Sequence, residues 1–357
     1  MTLAELSKQI GYSTATLDRV VNNRGMVSEK TRKEVLKRIE ELNFEVNHTG
    51  KTLAMQKKLR FGVIISSDLV TEENRLFSRI YDGMRAGERE LAPNGAKFVF
   101  RFLESGSAED QVKAINELVQ MGITRIALSL EEKSEVLDRA MQEASHKGVE
   151  FIVYFNAVSS DNLFERFDYH LNIEHTYEGY LAAKLLTKFM TGRGKVLLIS
   201  GMTKNQVHQT RIDSAYSQLE QLDGIEVVEV VRDSYPNEKT EQQLEELFYR
   251  CPDITGIISS CGSNWLIADW LEKKGLRDKV THISFDFTSK IQRYLEQDKI
   301  DGVIGVDLGE LGYNTTMVLY DSLVLGTTNE YKRNLPVQIG LGGCYHPRSG
   351  FKKEKSS

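Results

Sequence analysis

The chain has 357 residues, 40% hydrophobic and 27% charged, with a formal net charge of −5. That length leaves room for a small module plus about two compact lobes, and the mixed composition is that of a soluble globular protein. No apolar run approaches the roughly 18 residues a membrane-crossing helix needs, and the N-terminus lacks a signal peptide's basic start and apolar core. The three cysteines, Cys251, Cys261 and Cys344, are too few and too scattered for a disulfide framework and lack paired metal spacing. A reduced, cytoplasmic protein with no metal, no cofactor and no membrane partner is expected. The charge is uneven. Residues 1–60 hold 12 Lys/Arg against 7 Asp/Glu, a net of +5, and the remainder holds 34 against 44, a net of −10. A basic module on an acidic body concentrates attraction for phosphate at one end.

In chain order, Leu3, Leu6 and Ile10 recur at helical spacing, and Gly11 ends that helix because glycine tolerates the left-handed turn. Ser13 or Thr14 caps a second helix by accepting a backbone N–H, with Leu17, Val20 and Val21 as its inward stripe. Thr14, Ala15, Asp18, Arg19 and Asn22 fall elsewhere on that helix. Ser28, three residues before Thr31, caps a third, whose Val35, Leu36, Ile39 and Leu42 are expected to close a small core. Two helices across a tight turn, braced by a third, make a helix-turn-helix with a polar middle helix suited to a DNA groove.

These residues resemble the DNA-binding headpiece of the lactose-repressor/galactose-repressor family. The family's "TVSRVVN", "VS..TR..V" and "ELNY.PN" correspond to Thr16-Leu17-Asp18-Arg19-Val20-Val21-Asn22, to Val27-Ser28 with Thr31-Arg32 and Val35, and to Glu41-Leu42-Asn43-Phe44. Asp18-Arg19 and the following Asn23-Arg24-Gly25 resemble a subgroup reading "TVDRVLNNRG". The resemblance implies DNA contacts from Thr14, Ala15, Thr16, Asp18 and Arg19, then from Asn22 and Arg24. Asp18 stands where the family has serine, and Val46 where it has proline. A carboxylate repels phosphate and accepts only from a donor such as cytosine N4, so Asp18 is expected either to alter base preference or to pair with Arg19 or Arg24.

Residues 47–54, NHTGKTLA, link this module to the body. In the resembled family such a stretch becomes a short helix only on DNA, which implies a contact from Asn47 and a minor-groove wedge at Leu53. Gly50 and the shortness of the segment make it a poor isolated helix, so DNA and a partner chain must order it.

From Arg60 onward, apolar strand-like runs alternate with amphipathic helical ones. FGVII precedes a helix near 75–91, KFVFRF one near 108–121, and RIALSL and EFIVYF continue the series. After a crossover near 156–174 the alternation restarts with KVLLIS, IEVVEVV, TGIIS, VTHISF and DGVIGV. Such alternation implies parallel sheets covered on both faces, and the restart implies two similar lobes. The arrangement is similar to that of periplasmic sugar-binding proteins and of the family's effector domain, over nearly all of residues 61–343.

The expected fold is therefore α/β: a three-helix headpiece (1–46), a hinge (47–59), a two-lobed body with parallel sheets (60–343) and a C-terminal tail (344–357). Ligands of open sheets bind beyond the C-terminal strand ends, and those positions are polar here. By position in the family pattern Asn156, Arg211, Asp286 and Asp307 match residues that bond effector hydroxyls, and Asp68 and Trp265 are further candidates. Carboxylates, an amide and a guanidinium saturate a polyol's donors and acceptors, and an aromatic face covers a sugar ring. For Asp286 a loop or helix cap is the competing role.

No nucleophile elbow, Walker loop, dinucleotide fingerprint or HExxH motif is present, so an enzyme is not expected. The resemblance implies a repressor-type transcriptional regulator that binds a pseudo-palindromic double-stranded DNA operator as a homodimer under control of a carbohydrate-like effector. The alternative is a sugar-binding receptor for transport. The headpiece and the missing signal peptide argue against it. The tail lacks leucine heptads, so no tetramer through a terminal coiled coil is expected.

Overall fold

The computed structural model describes residues 3–21, 27–42, 59–66, 76–103, 107–130, 134–156, 169–201, 206–232, 238–262, 264–324 and 332–342. Three helices open the chain: α1 (Leu3–Ile10), α2 (Thr14–Val21) and α3 (Glu29–Glu41). Gly11 takes φ 78° between the first two. The Ser13 hydroxyl accepts from the Thr16 N–H at 3.1 Å and the Ser28 hydroxyl from the Thr31 N–H at 3.2 Å, so both serines cap the helices that follow them. Leu6, Leu17, Val20 and Val35 form the buried core, with Ile10, Tyr12, Val27 and Ile39 packed around it. Leu36 and Leu42, expected inside, are 47% and 40% exposed. One residue along a helix turns the side chain about 100°, so the Val35–Ile39 face that points inward leaves Leu36 on the flank, and Leu42 follows the last turn of α3.

Among the described residues the body holds two six-stranded sheets. The first contains β1 (Arg60–Ser66), β2 (Lys97–Leu103), β3 (Arg125–Leu130), β4 (Glu150–Asn156), β5 (Tyr169–Asn172) and, late in the chain, β11 (Lys332–Asn334). Its order is β11-β5-β4-β3-β1-β2, parallel throughout. The second contains β6 (Gly194–Ser200), β7 (Ile225–Val231), β8 (Ile254–Ser260), β9 (Thr281–Phe285), β10 (Gly302–Gly305) and β12 (Gln338–Leu341). Its order is β12-β10-β9-β8-β6-β7, parallel except for β12 against β10. Each sheet separates two apolar clusters, so central strands such as Val196–Ser200 are buried residue after residue.

The connecting helices are α4 (Leu76–Leu91), α5 (Ala108–Gln120) and α6 (Glu135–His146) in the first lobe, and α7 (His175–Phe189), α8 (Gln206–Leu219), α9 (Glu238–Arg250), α10 (Asn264–Lys273) and α11 (Ser289–Glu296) in the second. The last, α12 (Leu308–Val324), follows β10 of the second sheet yet packs on α4 and on β3, β4 and β5 of the first. Among the described residues the chain thus crosses between lobes three times: after β5, after β10, and between β11 and β12. The single crossover expected near 156–174 is the first of these, and it falls after Asn172 because β5 still belongs to the first sheet.

Helices α4 and α12 meet almost backbone to backbone. A methyl group at Gly83 would strike the Gly309 carbonyl, and one at Gly312 would strike the Ile80 carbonyl. Among the described residues no helix is long and apolar enough to cross a membrane.

Candidate functional site

Asp286 lies one residue beyond β9, and its backbone takes φ 65°. For a residue with a side chain this left-handed conformation is unfavourable. Here it is held from both sides, its N–H donating to Ile304 O at 2.9 Å and its carbonyl accepting from the Thr288 N–H at 2.8 Å. Thr288 in turn caps α11, accepting from the Ile291 N–H at 3.3 Å. Strain of this kind gathers where a side chain must be aimed.

The target is Arg211, on α8 and 2% exposed. Its Nη1 and Nη2 donate to Asp286 Oδ2 and Oδ1 at 2.9 and 2.8 Å, a two-pronged pair that fixes the guanidinium plane. Its Nε donates to Glu178 Oε2 at 2.8 Å, and the Phe285 ring centroid lies 4.8 Å from its central carbon. Glu178, on the first turn of α7, reaches Arg211 because Gly179 follows it. A methyl there would strike the Arg211 carbonyl, so α7 and α8 cross in close contact, tied by Ser214 Oγ donating to Thr176 O at 2.6 Å.

Burial alone would weaken the charge on Arg211, but Asp286 and Glu178 overcompensate and hold its pKa above the ordinary guanidinium value. Burial likewise works against the Asp286 carboxylate, and the charge and hydrogen bonds of Arg211 outweigh it, so that its pKa lies below the usual carboxylate value. His208, one turn before Arg211 on α8, is pushed down to about 4 by burial and then by the guanidinium. His175 Nδ1 lies 2.7 Å from Glu178 Oε2.

The other expected effector residues lie elsewhere along the chain. Asp307 follows β10, and its Oδ1 accepts from the Gly309 and Glu310 N–H groups at 2.9 and 3.0 Å, which caps α12. Trp265, on the first turn of α10, packs partly buried against the Phe287 cluster, and Lys290 Nζ sits 3.1 Å from its ring centroid. One face of the indole is thus taken by a cation. Asn156 closes β4 in register with Leu130; its side chain and the whole of Asp68 lie outside the described residues. Arg79 Nη1, on α4, donates to Gln292 Oε1 on α11 at 3.1 Å, a direct link between lobes.

In the headpiece, Thr14 and Arg19 are exposed on α2, whereas Thr16 is half-buried with Oγ1 2.9 Å from Ser13 Oγ. Tyr12 Oη donates to Glu34 Oε2 at 2.9 Å, tying the α1–α2 turn to α3. Ala15 and Asp18 occupy helical positions whose side chains are not described, and Asn22, Arg24, Asn47 and Leu53 lie outside the described residues.

Residues 69–327 match the family model for the periplasmic binding protein domain. The chain belongs to the periplasmic binding protein domain family. Ahead of that binding domain, residues 2–47 match the model for bacterial regulatory proteins of the lacI family. Catabolite control protein A of Streptococcus mutans is 38% identical over 116 residues, 32% of each chain. The HTH-type transcriptional repressor PurR of Vibrio vulnificus is 25% identical over 219 residues, 59% of this chain and 58% of that protein. The chain therefore aligns with less than two thirds of the length of either relative. Among solved structures, the binding domain is similar to an ABC transporter solute binding protein from Bacillus halodurans with bound myo-inositol. The TM-score is 0.66 and the identity 16%, over 79% of this chain and 94% of that one. At that identity the likeness establishes the two-lobed fold.

The structure joins Arg211 to Asp286, both singled out in the sequence, and adds Glu178, His175 and His208 of the binding domain, which were not. The motif pattern of α8 and β9 carried the first two. Glu178 precedes Arg211 by 33 positions in a helix whose sequence reads as ordinary amphipathic packing. A charged residue one position before a glycine that lets two helices touch was the available signal.

Proposed function

We propose that the chain is a sequence-specific DNA-binding transcriptional regulator of repressor type, whose affinity for its operator is set by a small neutral polyol, a sugar or cyclitol. The observation that carries this reading is one chain bearing both a lacI-family segment at 2–47 and a periplasmic binding protein domain at 69–327. A transport receptor would share the second part, but a basic helix-turn-helix has no role in it.

In this reading Arg19 and its neighbours on α2 read base edges and phosphates, since a guanidinium donates to guanine or phosphate oxygens. Leu53, in the hinge, opens a base step in the minor groove. Beyond the strand ends, Asn156, Arg211, Asp286 and Asp307, with Asp68 and Trp265, hold the effector's hydroxyls. A homodimer follows from the few base pairs one headpiece reads and from two-fold operator symmetry. An apolar surface supports self-association. On the edge strand β2, Phe102 is 51% exposed, and Tyr81 of α4 packs edge-on against both Phe100 and Phe102. The effector acts only through different affinities for two arrangements of the lobes.

The test is selection of duplexes from a random pool by the full chain, followed by titration of the selected duplex at fixed salt with and without a panel of sugars and cyclitols. A pseudo-palindrome with half-sites about one helical turn apart is expected. One panel member should change its affinity at least about fivefold. A pool with no enriched sequence defeats the regulator reading; an enriched duplex indifferent to every polyol defeats the effector arm alone.

A further inference from the structure

Arg211 carries one positive charge and meets two carboxylates. Asp286 takes both terminal nitrogens and Glu178 takes Nε. Glu178 is fully buried, and its second oxygen, Oε1, has no partner among the described residues. A buried carboxylate with half its acceptor capacity unused is unfavourable for stability alone. A neutral Gln would serve Nε equally well as an acceptor, so the bond to Arg211 does not by itself explain the charge. Asp286 keeps 27% of its side chain exposed, and it is through this residue that the cluster faces solvent.

Without Glu178, Arg211 and Asp286 would form a neutral pair, and an anionic ligand could compete with Asp286 for the guanidinium fork. With Glu178, the fork is held in plane at Nε and its charge is compensated twice over; while the His175 ring, 2.7 Å from Glu178 Oε2, is neutral, an incoming anion meets a site one negative charge in excess. Charge a few ångströms away inside a partly buried site acts with little screening. We propose that Glu178 is the specificity-determining residue of this site: its second carboxylate restricts the ligand to neutral or amino-bearing polyols and excludes uronates and sugar phosphates. The proposal rests on the effector reading above and deepens it.

Arg211→Ala is a poor test, since it strands the buried Glu178 carboxylate and the half-buried Asp286 carboxylate together. Glu178→Gln keeps the acceptor for Nε and removes the charge. Calorimetry on the full chain at pH 8, where unperturbed histidines are neutral, compares probes paired by scaffold, one neutral and one anionic: D-glucose with D-glucuronate, D-galactose with D-galacturonate, and myo-inositol with myo-inositol 1-phosphate. The wild-type chain should bind the neutral member of at least one pair and its anionic partner at least about tenfold more weakly. Glu178→Gln should narrow that ratio by about tenfold. Glu178→Asp, which keeps the charge but withdraws it from Nε, should weaken neutral binding and retain the discrimination, and it decides the matter if the Gln variant does not fold. Wild-type binding of an anionic member as tight as its neutral partner overturns the proposal. So does an equal loss for both members in Glu178→Gln, or lost discrimination in Glu178→Asp. If no probe binds the wild type, the carbohydrate reading falls and takes this proposal with it. Neutral binding with an unchanged ratio removes Glu178 alone.

Discussion

Two buried histidines give the second lobe a built-in acid sensitivity. Burial pushes His208 from 6.5 down to about 4, and burial followed by the nearby Arg277 charge pushes His282 down to about 3. His282 Nε2 lies 2.7 Å from Ser259 Oγ, and the Nδ1 atoms of both rings have no partner among the described residues. Both rings are neutral in the folded chain at pH 7. Below 6.5 the unfolded chain takes up protons that the folded chain refuses, so stability present above 6.5 is lost as pH falls through about 4 for His208 and about 3 for His282. Each group adds up to about 1.4 kcal/mol per pH unit in that window. Urea unfolding at pH 7.5, 6, 5 and 4.5 should show the decline, and His208→Asn should roughly halve its slope, leaving the share of His282. A parent protein equally stable at pH 7 and 5 would show that these rings are not buried neutral. At this scale Arg211 and Asp286 were legible in the sequence because each sits in a recognisable strand-end or helix motif. Glu178 and the two buried histidines were not, because their significance comes from elements meeting in space: α7 against α8, β8 against β9.

At the scale of elements, glycine plays two physically distinct roles, and substitutions separate them. Gly312 sits where α12 crosses α4, and a Cβ there would collide with the Ile80 carbonyl; Gly275 takes φ 66° after α10, with open space around it. Gly312→Ala must push two helices apart, an overpacking cost of about 1–3 kcal/mol. Gly275→Ala meets only backbone strain, about 1–2 kcal/mol. The two are distinguished by where the loss appears: amide exchange should accelerate along both α4 and α12 in Gly312→Ala, and only near the end of α10 in Gly275→Ala. Unchanged exchange in α4 for the first variant would mean that the helices do not meet there. The long alternating runs were readable because buried parallel strands are continuously apolar and their helices carry a 3.6-residue period. Strands β5, β11 and β12 were missed for the opposite reason. They are three or four residues long, too short for a period to register, and β11 joins a sheet whose other strands lie far back in the chain. The return of α12 to the first lobe was equally hidden, because an amphipathic helix records that it has a buried face but not which sheet it covers.

For the molecule as a whole, the question is how the polar cluster in the second lobe communicates with the first. Arg79 on α4 donates to Gln292 Oε1, and the same carboxamide donates through Nε2 to Phe287 O at 3.2 Å. Phe287 follows Asp286 directly, so a first-lobe cation is two hydrogen bonds from the turn that aims the Asp286 carboxylate at Arg211. A contact between lobes exists only in arrangements that bring α4 and α11 together. Removing it therefore shifts the balance towards more open arrangements without touching Arg211, Asp286 or Glu178. Arg79→Ala forfeits one charge-assisted bond, worth about 1.5 kcal/mol, and an effector that needs the closed arrangement should bind about tenfold more weakly. The loss belongs in the dissociation rate, because the open cleft admits ligand as before while the closed one no longer retains it. Stopped-flow binding with the best polyol from the panel, set beside small-angle scattering of the ligand-free chain, reads both effects. Faster dissociation with a slightly larger radius of gyration is the expected pair. Unchanged dissociation would show that Arg79 and Gln292 touch without bearing on closure, leaving the Asp286 turn to be held by its bonds to Ile304 and Thr288 alone.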